Sequence, residues 1–249
     1  MTWLYDTHIH LSDPEYRPYI NTVIQNMKHT NIKACCVSMD AKDSKETLKL
    51  SRKSDLVLPF IGIHPEKADD DLESVIKMIQ DNTDNITGIG EIGLDPTFSN
   101  SDLRRQKYVF EQLLFLAEKY DKPISIHSRK SLDDILSIIP SYSINNACLH
   151  WFDGNKRQLR QSMDMGLFVS YGPVMVYAND KQSLLSKTHP DRILVETDGP
   201  VKFSRCFGFK PAQTSFIPSV IFAASKILRR TYEEMCLLLE VNSRRFLHI

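Results

Sequence analysis

The sequence lacks several features that would place it early. Lysine plus arginine balance aspartate plus glutamate at 31 each, so no bulk charge draws it to nucleic acid or membrane, and any such contact must come from a local patch or a bound cation. No apolar run approaches the roughly 18 residues a membrane span requires, and the opening MTWLYDTHIHLSDPEY has neither a basic nor an apolar leader segment. Its five cysteines (35, 36, 148, 206 and 236) form no CxxC pair, which argues against a zinc ribbon or disulfide framework and for reduced thiols in a cytoplasmic protein. The adjacent Cys35 and Cys36 lie inside an apolar run and read as packing residues. Glycine is scarce, at 9 of 249 residues, and none follows the first apolar run. That removes the glycine-rich phosphate turn of a doubly wound nucleotide-binding sheet.

What the chain does have is a repeated alternation. Eight short apolar runs are each followed by a polar turn and a helix-periodic stretch: WLYDTHIH, KACCVSM (33–39), VLPFIGIH (57–64), ITGIGEIG (86–93), PISIHS (123–128), NACLHW (146–151), GLFVSYG (166–172) and RILVETD (192–198). Helical patterns fill 15–29, 43–54, 69–80, 102–120, 130–139, 155–165, 180–187, 216–229 and 231–247, with Asp43-Ser44 and Ser101-Asp102 as start signals. Eight strands alternating with helices over about 250 residues predict an α/β fold, a (β/α)8 TIM barrel. With no repeat, linker or low-complexity tract, residues 1–249 read as one domain, and 199–215 as an irregular insertion after the last strand.

The polar residues of the runs sit at particular places. In YDTHIHL, His8 and His10 are two apart and therefore share a face of the first strand. His64, Glu91, His127, His150 and Asp198 fall at the ends of strands three, four, five, six and eight. Three-residue windows at eight strand ends cover roughly a tenth of such a barrel, so chance would place about one of the eight histidines there; five arrive. His29, His189 and His248 fall on helices or turns and read as surface residues. Barrel active sites lie at the C-terminal strand ends, and imidazole with carboxylate suits zinc, manganese, iron or magnesium. No thiolate belongs to the set, so it is not a closed structural zinc site. Six N/O ligands (His8, His10, Glu91, His127, His150 and Asp198) exceed what one ion with an open position needs. They imply two divalent ions bridged by Glu91 and a hydrolytic reaction.

These motifs resemble the TatD-type metal-dependent deoxyribonucleases of the amidohydrolase superfamily. The similarity rests on the DxHxHL start at 6–11, GIHP at 62–65, GEIGLD at 90–95, IHSR at 126–129, LHWFDG at 149–154 where the family usually shows LHCFSG, and ETDGP at 196–200, in family order. NSRRF at 242–246 also looks like the family's final helix. The resemblance implies a TIM-barrel hydrolase of DNA phosphodiesters, a 3′→5′ exonuclease on single strands using magnesium, manganese or zinc. By position, His8, His10, Glu91 and Asp198 would hold one ion and Glu91, His127 and His150 the other, with Asp198 as general base. His64 would contact the scissile phosphate and Arg129 a flanking one; Lys202 and Arg205 are weighed between phosphate contact and a solvated rim. Trp151 and Phe152 are read as packing of the barrel mouth ahead of base stacking, and Asp6 as either orienting a ligand histidine or making a buried structural hydrogen bond. Two departures, Pro96 after GLD and SRCFGFKPAQTSFIP in place of a basic loop containing Asn-Glu-Pro, leave the substrate open. The alternatives are an ester or amide hydrolase such as a D-aminoacyl-tRNA deacylase, or a non-enzymatic subunit of a multi-component defence system.

Overall fold

A computed structural model describes residues 2–98 and 101–249. Eight parallel strands, β1 (Leu4–Ile9), β2 (Ile32–Cys36), β3 (Val57–Ile61), β4 (Gly88–Gly93), β5 (Ile124–His127), β6 (Ala147–Leu149), β7 (Phe168–Tyr171) and β8 (Ile193–Val195), pair in sequence order. Helices alternate with them on the outside: α1 (Ile20–Thr30), α2 (Ala41–Lys53), α3 (Leu72–Asp81), α4 (Leu103–Lys119), α5 (Leu132–Ile138), α6 (Lys156–Asp164), α7 (Asn179–Leu185), α8 (Ile217–Ile227) and α9 (Tyr232–Leu247). This is the expected TIM barrel. None of these helices is long and apolar enough to cross a membrane.

Local chemistry explains where the boundaries differ from the periodicity. The helix expected over 15–29 begins only at Ile20, because Pro18 removes a donor and interrupts the first turns; Asp13 instead caps a single 3-10 turn over Pro14–Tyr16. Asp40, not Asp43-Ser44, caps α2, its carboxylate accepting from the Asp43 N–H at 2.8 Å. Asp102 caps α4 as the sequence indicates. Apolar side chains on the outer strand faces and inner helix faces form the main core.

The two barrel ends differ in chemistry. At the N-terminal end, Phe246 of α9 packs beside Phe60 of β3 and Phe168 of β7, with ring centroids 6.1 and 5.6 Å apart, and this aromatic plug closes the interior. At the C-terminal end β8 meets β1 through polar contacts. The Asp198 N–H donates to the His8 carbonyl at 2.9 Å and the His10 N–H to the Gly199 carbonyl at 2.8 Å. Buried Asp6 accepts from the Thr197 N–H at 2.9 Å and its hydroxyl at 2.5 Å. Asp6 thus takes the structural option: it ties β8 to β1 at the level of the site and touches no histidine ring.

The segment after β8 folds back on itself. Lys202 and Pro211 form an antiparallel bridge, and Phe203, Phe207 and Ala212 are buried against Trp151, Tyr177 and Phe216 as a small core beside the barrel mouth. The region expected as an irregular insertion is therefore packed, with short 3-10 turns at Arg205–Phe207 and Thr214–Phe216.

Candidate metal centre

Each barrel strand that bears a candidate ligand delivers it to one rim. His8 points inward from β1 and His10 follows directly after it; His64, His150 and Asp198 come just beyond β3, β6 and β8, while Glu91 and His127 lie on β4 and β5. The approach of β4 to β5 there depends on Gly93, whose φ is +148° and where a Cβ would sit 2.0 Å from the His127 carbonyl oxygen. Asp198 holds φ at +50°, a left-handed conformation uncommon for a non-glycine residue. Its N–H to the His8 carbonyl and its own carbonyl to the Val201 N–H, at 3.1 Å, keep it there.

Glu91 is the hub, and its two oxygens face different partners. Oε2 lies 3.4 Å from His8 Nε2 and 3.3 Å from His10 Nε2, and those same nitrogens are 3.6 and 3.5 Å from Asp198 Oδ1. Oε1 lies 2.8 Å from both His127 Nδ1 and His150 Nε2 and 3.5 Å from His64 Nε2. The six residues expected as ligands converge. Three overlapping groups of donor atoms are close enough to share an ion: His8, His10 and Asp198; His8, Glu91 and His150; and His64, Glu91 and His127.

The donor set suits divalent cations. Among the described residues no lysine or arginine pairs with the carboxylates of Glu91 and Asp198; imidazoles do. The His8 and His150 rings lie parallel, centroids 3.8 Å apart, and His8 Nε2, aimed at the carboxylates, is buried without a hydrogen-bond partner. Burial opposes charge on Glu91, yet the imidazoles that face its two oxygens, His150, His8 and His10 among them, hold the carboxyl well below its ordinary value. Asp198 is likewise lowered against its burial, chiefly by His10. Burial would depress the His10 imidazolium, but Asp198 and Glu91 push it up to about 10. Metal ions would take the place of such protons between the same nitrogens and oxygens.

His64 differs from the other histidines. Burial pulls its imidazolium down to about 3, so the ring is neutral. Its Nδ1 accepts from the Glu66 N–H at 3.2 Å, which assigns the ring proton to Nε2, the atom facing the centre. An imidazole in that form donates and leaves no lone pair for a metal.

Three supporting residues escaped the sequence reading. Ser125 Oγ is 2.8 Å from His8 Nδ1, Asp95 Oδ2 is 2.9 Å from His127 Nε2, and Glu196 Oε1 is 3.7 Å from His150 Nδ1. The first two are hydrogen bonds, and such partners fix the ring orientation and tautomer of a ligand; Glu196 stands beyond hydrogen-bond reach of His150 Nδ1 and acts on that ring through its charge. Their signals were present: Ser125 is two residues before His127 on β5, and Asp95 and Glu196 lie within the GEIGLD and ETDGP motifs.

Of the expected substrate contacts, Arg129 is exposed and borders a cavity of about 400 Å³ that opens on His127, His150 and Asp198. Lys202 and Arg205 stand exposed on the outer segment. Phe152 is buried in the core as packing predicts, whereas Trp151 is only partly buried and lines the cavity. His29, His189 and His248 are at the surface.

Residues 5–248 match the family model for TatD related DNase. The chain is 27% identical to the uncharacterized metal-dependent hydrolase YabD of Bacillus subtilis over 253 residues, covering 99% of each. It is 28% identical to the human deoxyribonuclease TATDN3 over 213 residues, 79% of this chain and 78% of the relative. Its fold is that of the TatD homologue YjjV from Escherichia coli, with a TM-score of 0.91 at 21% identity over 99% of this chain and 98% of that one.

Proposed function

Since the chain belongs to the family of TatD related DNases and is a metal-dependent hydrolase of that family, we propose that the bond it cleaves is a phosphodiester of DNA, taken one nucleotide at a time from the 3′ end of a single strand. The observation that carries this reading is the division of Glu91, with one oxygen toward His8 and His10 and the other toward His127 and His150. His8, His10, Glu91 and Asp198 would hold one divalent ion and Glu91, His127 and His150 the second, magnesium, manganese or zinc. When bound, such a pair supplies Lewis acidity toward phosphate oxygens and makes water acidic enough to react at neutral pH.

The chain's own side chains do the rest. Asp198, ionised despite its burial, accepts the proton of the attacking water at a carboxylate oxygen. His64 donates its Nε2 proton to a non-bridging oxygen of the phosphate, where negative charge grows as the bond to the leaving oxygen breaks. Because the ring is neutral, it cannot compete with the ions for Glu91 as a full positive charge would. Arg129, at the edge of the cavity, receives the next phosphate.

The test incubates the full-length protein with end-labelled single- and double-stranded DNA and with a D-aminoacyl-tRNA, in magnesium, manganese or zinc and in chelator. Stepwise shortening of the single strand from its 3′ end, lost in chelator and regained with metal, is expected. Deacylation of the tRNA with intact DNA would overturn the proposal in favour of an ester substrate.

A further inference from the structure

The reaction outlined above does not use the aromatic side chain beside the rim. Trp151, next to His150, is stacked on Phe203 with ring centroids 5.4 Å and planes 29° apart. Phe203 is buried, with Phe207 6.2 Å behind it and Phe216 4.7 Å from Phe207. The indole therefore stands between a buried aromatic cluster and the cavity of about 400 Å³, which it lines with Arg129 and Val201. That volume falls in the range of small-ligand sites.

The backbone is also unusual. Trp151 adopts φ +42°, a left-handed conformation rare for a bulky aromatic residue. It stays there because its N–H donates to Glu196 Oε1 at 2.7 Å and lies 3.2 Å from Ser170 Oγ. Glu196 is the same buried carboxylate that lies 3.7 Å from His150 Nδ1, so the backbone of Trp151 is anchored to a group beside a candidate metal ligand. The turn at His150–Trp151 leaves the indole only partly buried and lining the cavity, whereas Phe152, the adjacent residue, is fully buried in the core. Strained conformations persist where their surroundings enforce them, and they gather at functional sites.

We propose that Trp151 is a stacking shelf for the nucleobase of the nucleotide whose phosphate is at the rim, with Phe203 holding the indole in place from behind. The inference rests on the DNA reading above and deepens it. Every base offers a π-face, so the shelf separates base-bearing from abasic ends while tolerating sequence.

The chain has two tryptophans, so Trp3→Phe leaves Trp151 as the sole indole reporter. In the magnesium-loaded protein, saturable quenching by deoxyadenosine monophosphate and none by deoxyribose 5-phosphate is expected. On single-stranded oligonucleotides ending in a normal or an abasic 3′ nucleotide, the wild type should favour the former in kcat/KM by roughly 5- to 150-fold. Trp151→Ala and Phe203→Ala should each bring that ratio toward one, and Trp151→Phe should keep most of it. Absence of quenching, a wild-type ratio near one, or an unchanged ratio in Trp151→Ala overturns the shelf. If neither oligonucleotide is cleaved the DNA reading has failed, and the quenching titration alone then decides for or against a base-binding indole.

Discussion

Asp95 offers the sharpest test of the centre, because the isosteric substitution should be worse than truncation. Its Oδ2 accepts the His127 Nε2 proton at 2.9 Å, which leaves the Nδ1 lone pair facing Glu91. Its Oδ1 accepts both the N–H of Thr97, at 2.8 Å, and the Thr97 hydroxyl, at 2.5 Å. In Asp95→Asn those two donors keep the amide oxygen at Oδ1, so the NH2 group points at His127 Nε2. Two donors then oppose each other. Relief comes from moving the imidazole proton to Nδ1, where it covers the lone pair a metal would use. Loss of a ligand's supporting partner costs about 10–100-fold in metal affinity or activity, equivalent to roughly 1.4–2.7 kcal/mol, and Asp95→Asn should fall at the upper end. Asp95→Ala leaves Nε2 free to donate to water and should lose less. Neither change should detach the loop, since the Asp95 N–H donates to Gln106 Oε1 at 2.8 Å and its carbonyl accepts from Gln106 Nε2 at 3.0 Å. The assay is competitive titration of manganese or zinc against a chromophoric chelator for the three proteins, with kcat/KM alongside. Asparagine binding metal as tightly as the wild type, or more tightly than alanine, refutes the tautomer argument.

His64→Ala should lower kcat roughly 10²-fold with unchanged metal content by elemental analysis, because the ring presents a proton, not a lone pair, to the centre; loss of bound metal would reassign it as a ligand. Asp198→Asn and Glu91→Ala should each abolish turnover while circular dichroism keeps the wild-type fold, since both groups crown the barrel and leave the aromatic plug at its other end intact; activity surviving in both refutes the site. In the metal-free protein, His10 has a folded-state value of about 10 against an ordinary 6.5, so its contribution to stability is full below about pH 6.5 and disappears as the pH rises toward 10. His150 and His127, also raised, act in the same direction. Tm in chelator should therefore fall across pH 6.5–10 and fall less with metal present, and a flat or rising profile in chelator would contradict that sign.

The parts of this molecule legible in its sequence are those governed by periodicity. Period two put His8 and His10 on one side of β1, and the alternation of apolar runs with helical stretches fixed strand ends closely enough for five histidines, Glu91 and Asp198 to be placed at one rim. The parts that stayed hidden depend on which neighbours meet in space. Asp95, Glu196 and Ser125 lie in or beside quoted motifs, but only three-dimensional pairing shows that each faces a different imidazole. Asp6 illustrates the converse. Its place in DxHxHL invites a role at the metal, and the seam between β1 and β8 claims it instead, through Thr197.

The same distinction explains why the substrate was harder to read than the metal chemistry. A cation is bound by atoms whose types the sequence names, whereas a substrate is bound by a surface that two or more loops make together. Trp151 sits where the resembling family usually shows cysteine, and Phe203 lies in the segment that departs from the usual basic loop. Read separately, both are aromatic residues best assigned to packing. Stacked on each other beside a cavity that reaches the rim, they add a flat apolar face to a segment that still carries three exposed cations, Lys202, Arg205 and Lys210. Recognition through such a face depends less on salt than recognition through phosphate contacts. Raising the salt concentration should therefore weaken overall binding of a short single strand through the cations near the mouth, Arg129 and Lys202 among them, while leaving the preference for a base-bearing over an abasic 3′ end nearly unchanged.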